Sequence, residues 1–100
     1  MVLTMPLQDE FHRAMIGVYE TAKDHEYFAT YFKRMVDSCG GVEAAKRLLA
    51  AREIQAGLMK LWALNLLDHS MEALVIQERF RSLFTDEEVA EARRRLEDDV

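Results

Sequence analysis

Apolar residues recur at steps of three and four along most of the chain, and alternation with a period of two is nearly absent. From Leu7, the residues Phe11, Met15, Val18, Tyr19 and Ala22 form one stripe, with Asp9, Glu10, Arg13, Glu20 and Lys23 left for water. This is the pattern of an amphipathic helix. Pro6 suits its start, having no N–H to lose there, and Asp9 and Glu10 complement the positive end of the helix dipole. Gly17 inside the stripe costs about 1 kcal/mol against alanine, which predicts close approach of a neighbouring backbone. Asp24, His25 and Glu26 then interrupt the pattern. They read as a short joint before a second helix over 27–38, one long bent helix being the alternative.

The second stripe, Tyr27, Phe28, Tyr31, Phe32, Met35 and Val36, is rich in rings and is expected to form one wall of the core. Cys39, Gly40 and Gly41 end it, with Gly40 expected in the left-handed position after the helix. A third helix over 42–51 turns Ala44, Ala45, Leu48 and Leu49 inward, and the rest of the chain packs around this central stretch. Residues 52–56 read as a connector and 57–64 as a short helix in which Trp62 anchors the core. A turn over 65–69 leads to Ser70, an N-cap for a helix over 71–77. Residues 78–84, with Phe80, Leu83 and Phe84, read as one irregular turn. The clearest local signal follows. Thr85 and Glu88 have the spacing of a capping box, and Phe84 and Val89 that of a hydrophobic staple. The last helix runs to about Leu96, burying Val89, Ala92 and Leu96, and 97–100 reads as a frayed acidic tail.

These elements predict an all-α fold. One hundred residues suffice for one core, so 1–100 is read as a compact single domain of five or six short helices, with 1–6 as a lead-in. One proline and four glycines leave few breakers, in keeping with helix throughout. Cys39 is the only cysteine, which excludes a disulfide framework and fits a reducing compartment. The N-terminal residues lack the basic flank and long apolar run of a signal peptide. No stretch reaches the roughly 20 apolar residues of a membrane span. A cytoplasmic protein without membrane contact is the expectation.

Charge changes the picture of partners. The formal net charge is −5, with 6 basic against 7 acidic residues in 1–50 and 7 against 11 in 51–100. An acidic surface weakens the sequence-independent attraction to phosphate, so nucleic acid is disfavoured as a partner. Two features keep it open. Residues 42–51, 52–54 and 55–64 have the lengths of a helix-turn-helix that would expose Gln55 and Lys60, with Asn65 at its end. Arg93, Arg94 and Arg95, with Arg79 and Arg81, could make a basic face. The plainer reading of the triplet is dipole compensation late in a helix, with Glu91 pairing Arg95 four residues on.

Catalytic chemistry finds little support. His12, His25 and His69 each lie near acids, but none has a second histidine at helical spacing, and His-Glu-x-x-His is absent. Glu20, Asp24 and Glu26 look like a solvated helix end rather than a tuned pair. Cys39 ends a helix, whereas thiols are activated at helix starts. No Ser/His/Asp order, Gly-rich phosphate loop or nucleophile elbow occurs. The sequence therefore assigns no catalytic residue, no cofactor and no metal ligand, and the protein is not expected to be an enzyme.

The segments Gly-Gly-Val-Glu-Ala-Ala-Lys-Arg-Leu-Leu (40–49), Gly-Leu-Met-Lys-Leu-Trp (57–62), Leu-Asp-His-Ser-Met-Glu-Ala-Leu-Val-Ile (67–76) and Leu-Phe-Thr-Asp-Glu-Glu (83–88) carry a resemblance. With Ala92, Arg93 and Leu96, their order resembles a family of short, uncharacterised bacterial all-helical proteins. Segments of this kind also look like C-terminal appendages of larger proteins, some of them nuclease-like. The likeness extends upstream to Tyr19, except that the family has Gly-Tyr where this chain has Glu26 and Tyr27. It implies a compact helical domain and brings no catalytic residue set. The function expected is a non-catalytic protein-interaction module in a nucleic-acid-processing or phage-defence system. The alternative is a small nucleic-acid binder using Gln55, Lys60 or the arginine triplet. Self-association stays open.

Overall fold

The computed structural model describes residues 5–51 and 60–98, and the fold is all-α. Five α-helices are described: α1 (Leu7–Asp24), α2 (Thr30–Cys39), α3 (Gly41–Ala50), α4 (Met71–Val75) and α5 (Asp86–Asp98). Residues 60–63 are also helical, and 3-10 turns cover Leu67–His69 and Glu78–Leu83. The second 3-10 segment is the stretch expected to be irregular, which lifts the helical elements above the five or six anticipated. The Cα radius of gyration, 13.0 Å, is that of a packed domain of this length, about 13 Å. Among the described residues no helix is long and apolar enough to cross a membrane.

The main core joins Phe11 and Met15 of α1, Val36 of α2, four residues of α3 (Ala44, Ala45, Leu48, Leu49), Met71 and Val75 of α4, and Val89 and Ala92 of α5. Phe11 is its centre. Phe80 and Phe84 each set an edge-to-face ring contact on it with centroids 5.0 Å apart, the geometry that aromatic quadrupoles favour. The 3-10 turn, with Phe84 at its C-cap, brings these two rings to α1.

Local chemistry explains most boundaries. The Ser70 hydroxyl accepts from the Ala73 N–H at 3.1 Å and starts α4. The capping box before α5 is present in both directions. The Thr85 N–H donates to Glu88 Oε1 at 2.8 Å, and the Glu88 N–H donates to Thr85 Oγ1 at 3.1 Å. Partial burial pushes the Glu88 carboxyl up, but the bonds from Lys46 and Thr85 outweigh it and hold it below its ordinary value. The α5 helix continues through Asp98, so Glu97 and Asp98 belong to it rather than to a frayed tail.

Two helix ends share one device. The α1 helix closes with Glu26 N–H bonded to Lys23 O and Tyr27 N–H bonded to Ala22 O, both at 2.9 Å. At the end of 60–63, Asn65 N–H bonds Trp62 O and Leu66 N–H bonds Leu61 O, at 2.9 and 2.7 Å. Both are Schellman motifs. Their left-handed residues are Glu26 (φ 65°) and Asn65 (φ 62°). The apolar residues that such motifs bring together, Ala22 with Tyr27 and Leu61 with Leu66, meet in one small second cluster. The expected joint after Asp24 is therefore a true helix stop, and the single bent helix is excluded.

Four expectations are corrected. Nothing lies within 4 Å of a Cβ placed on Gly17, so that glycine serves no close approach. Gly41 does, against α1. Gly40 has a positive φ but an extended ψ (87°, 158°), a region open essentially only to glycine, because this one residue is both the last cap of α2 and the first of α3. Trp62 is 52% exposed and not a core anchor. Its neighbour Leu61 takes the inward position, and the next residue on a helix points about 100° away. The aromatic stripe is split for the same kind of reason. The α2 helix begins at Thr30, so Tyr27 and Phe28 precede it, and Phe28 and Tyr31 are 56% and 66% exposed.

Candidate functional site

The exposed rings of Phe28 and Tyr31 belong to the mouth of a pocket of about 330 Å³. Its position follows from the Schellman stop. After Tyr27 turns back onto the second cluster, Phe28 O accepts from Thr30 N–H at 2.9 Å, with Ala29 at φ −80°, ψ 66°. That is an inverse γ-turn. It sets the start of α2 beside the last turn of α1 and leaves a gap between them. Val18 and Ala22 of α1, Tyr27, Phe28, Tyr31 and Phe32, and Leu48, Leu61 and Met71 all contribute to its lining.

The one ionised group among the described lining residues is Glu72 of α4. It is 4% exposed. Its Oε2 accepts from Arg95 Nη1 at 3.3 Å, and Arg95, itself 2% exposed, is a hub. The guanidinium Nε donates to Glu91 Oε2 at 2.7 Å, and Nη2 donates to Leu49 O and Ala51 O at 3.0 and 2.9 Å. Those carbonyls end α3, where no intrahelical donor remains. Arg95 thus ties α3, α4 and α5 together behind the pocket. The Glu91 carboxyl is held down at about 2, first by its bond from Arg94 and then by Arg95, against the opposing pull of partial burial.

The residues singled out as contacts do not form one site. Gln55 lies outside the described residues, as do the turn and most of the second helix of the expected helix-turn-helix. Lys60 is exposed at the start of the 60–63 turn. The arginine triplet is divided. Arg93 and Arg94 are exposed, with Arg94 Nη2 bonded to Glu91 Oε2 at 2.6 Å, whereas Arg95 is interior and cannot meet a partner. The expected Glu91–Arg95 pair is present, with the arginine buried and the glutamate partly exposed. Lys60 and the triplet are absent from the described lining of the pocket.

The histidines are likewise apart. His12 Nδ1 accepts from the Gly41 N–H at 2.9 Å, His25 Nδ1 contacts Thr21 O at 3.0 Å, and His69 is exposed. Among the described residues no three His, Cys, Asp or Glu side chains gather as a metal-binding group. Cys39 is half-buried, its Sγ 3.1 Å from Met35 O.

The pocket residues were all visible as letters, and two signals mark them. Four rings fall within 27–32, more than one buried helix face can cover, and Glu72 is the one acid inside the apolar run 71–76. Comparison with protein-family models, curated proteins and solved structures finds no match.

Proposed function

We propose that this chain is a non-catalytic protein-interaction module of the bacterial cytoplasm, and that it holds its partner at the pocket between α1 and α2. One observation carries the reading. A concave, ring-lined pocket opens beside two large aromatic side chains that are more than half exposed. Exposed rings at the rim of an apolar pocket are the usual anchors of protein recognition. The occupant is a partner segment that inserts one side chain. Nucleic acid fits less well, since Arg95 is buried and Arg94 is paired with Glu91.

The test uses the tagged protein and its Phe28→Ala/Tyr31→Ser variant, first shown to be equally helical by circular dichroism. Both are used to capture partners from the native host. Recovery of one defined protein at near-equal stoichiometry by the parent, and its loss with the variant, supports the reading. Equal recovery by both chains, or recovery only of salt-labile nucleic acid, overturns it.

A further inference from the structure

Two of the histidines hold their ring protons in opposite ways. His12 Nδ1 lies 2.9 Å from the Gly41 nitrogen and accepts its N–H. An accepting ring nitrogen carries no proton, so this imidazole is neutral with its hydrogen on Nε2. His25 Nδ1 lies 3.0 Å from Thr21 O. A carbonyl oxygen only accepts, so there Nδ1 is the donor. A second proton on His25 goes to Nε2 and leaves that bond in place. On His12 it goes to Nδ1 and sets one donor against another.

We propose that His12 and Gly41 form a pH-sensitive clasp between α1 and α3, closed while the ring is neutral and opened when it is protonated. His12 is only half-buried, so protons reach it from water. Gly41 is buried, and a Cβ placed on it would stand 2.6 Å from the His12 Cα. With the backbones that close, the orphaned N–H finds a new partner only if the start of α3 lifts from α1. The lift turns on Gly40, the joint of α2 and α3, at φ 87° and ψ 158°. Ala44, Ala45, Leu48 and Leu49 belong to the core and keep the rest of α3 in place. Histidine ordinarily changes charge between pH 5 and 8. The clasp is therefore closed at the upper end of that window and open at the lower.

Among the described residues no charged side chain bonds the His12 ring. On the elements packed against α1, the charged groups nearest in sequence to Gly41 are engaged elsewhere. Asp37 of α2 is bonded to Lys33, and the Cys39 thiol sits at Met35 O. Glu43 of α3 is bonded to Arg47, and Lys46 to Glu88. In the 3-10 turn Arg79 bonds Gln77 and Arg81 bonds Asp86, and Glu72 of α4 is bonded to Arg95. On α1 itself, Arg13 is adjacent and Asp9 lies one turn back, at the spacing of helical ion pairs. An imidazolium released from Gly41 is drawn towards that aspartate.

NMR of the isotope-labelled full chain between pH 8 and pH 5, above the range in which carboxylates ordinarily titrate, tests the clasp. At pH 8 the long-range ring correlations of His12 should place its proton on Nε2. As pH falls, the Gly41 amide proton should move upfield in step with the His12 ring. Its hydrogen exchange, corrected for the intrinsic effect of pH, should quicken by about threefold to tenfold, the worth of one hydrogen bond. His12→Asn sets an amide oxygen near the position of Nδ1 that does not titrate, and should keep the Gly41 signals flat throughout. His25→Gln should leave the response of Gly41 as it is in the parent. A proton on His12 Nδ1 at pH 8, or a Gly41 amide that ignores the His12 titration, would overturn the proposal from the parent chain alone. So would an unchanged response in His12→Asn or its loss in His25→Gln.

Discussion

The Gly41 N–H donates to His12 Nδ1 across 2.9 Å, and the Cβ that glycine lacks would stand 2.6 Å from the His12 Cα. These two residues let α3 lie directly on α1. They also solve a capping problem. Gly40, at the N-cap of α3, offers no side chain, and the first N–H of the helix, which an N-cap side chain would not reach in any case because it bonds the second or third, takes its acceptor from another element.

Gly41→Ala should therefore destabilise the protein by about 2–3 kcal/mol, since its methyl meets backbone that moves only if the helices part. Gly17→Ala is the matched control. Nothing lies within 4 Å of its Cβ position, so the gain in helix propensity should stabilise by about 0.5–1 kcal/mol. Urea unfolding of both variants measures the contrast. Similar midpoints would mean that α1 and α3 are not in the contact described.

Glu26 occupies a left-handed conformation, φ 65°, at the Schellman stop of α1. A side chain there costs about 1–2 kcal/mol in local sterics, while glycine would add about 0.4–1 kcal/mol of unfolded-state entropy. Glu26→Gly should leave a net gain of roughly 0.5 kcal/mol by that difference. A rise in melting temperature checks it.

Arg95 and Arg94 are neighbours with opposite expected outcomes. Arg95→Ala removes a buried cation bonded to Glu72 and the donor to the Leu49 and Ala51 carbonyls, which should cost about 3–5 kcal/mol. Arg94→Ala removes an exposed pair and should cost under about 1 kcal/mol. Chemical denaturation of the two variants distinguishes the buried hub from the surface pair.

That contrast shows what was legible beforehand. Caps, stops and core faces obey rules of a few residues, and the roles of Ser70, Thr85, Glu88, Phe11, Ala44 and Leu48 follow from those rules. The arginine triplet obeys one as well. Arg95 lies three residues after Ala92, which lies three after Val89, so helical spacing already set it on the buried flank. Its charge points to the surface and its spacing to the interior, and the spacing prevails because Glu72, Glu91 and two carbonyls are there to bond it. Trp62, Phe28 and Tyr31 failed for a different reason. Large rings are buried on average, but whether a given face meets a neighbour depends on how helices distant in sequence are placed. The pocket is such a product. Its walls come from α1, α2, α3, α4 and Leu61, and no local pattern brings them together.

Glu91 links this network to pH. Its carboxyl is lowered from 4.5 to about 2 in the folded chain, chiefly by the bond from Arg94 and then by that from Arg95. A depressed folded pKa means that the unfolded chain takes up the proton first. The stabilisation is therefore full above about pH 4.5 and is lost as pH falls through about 2. Because Glu91 is 28% exposed and Arg94 is 50% exposed, solvent screening keeps the effect modest. Urea midpoints recorded between neutral pH and about pH 2.5 should fall for the parent chain. Glu91→Gln should begin lower at neutral pH and fall less steeply, as it has no charge there to lose. Parallel curves for the two chains would show that acid acts through other carboxylates and that Glu91 carries no stability into the fold.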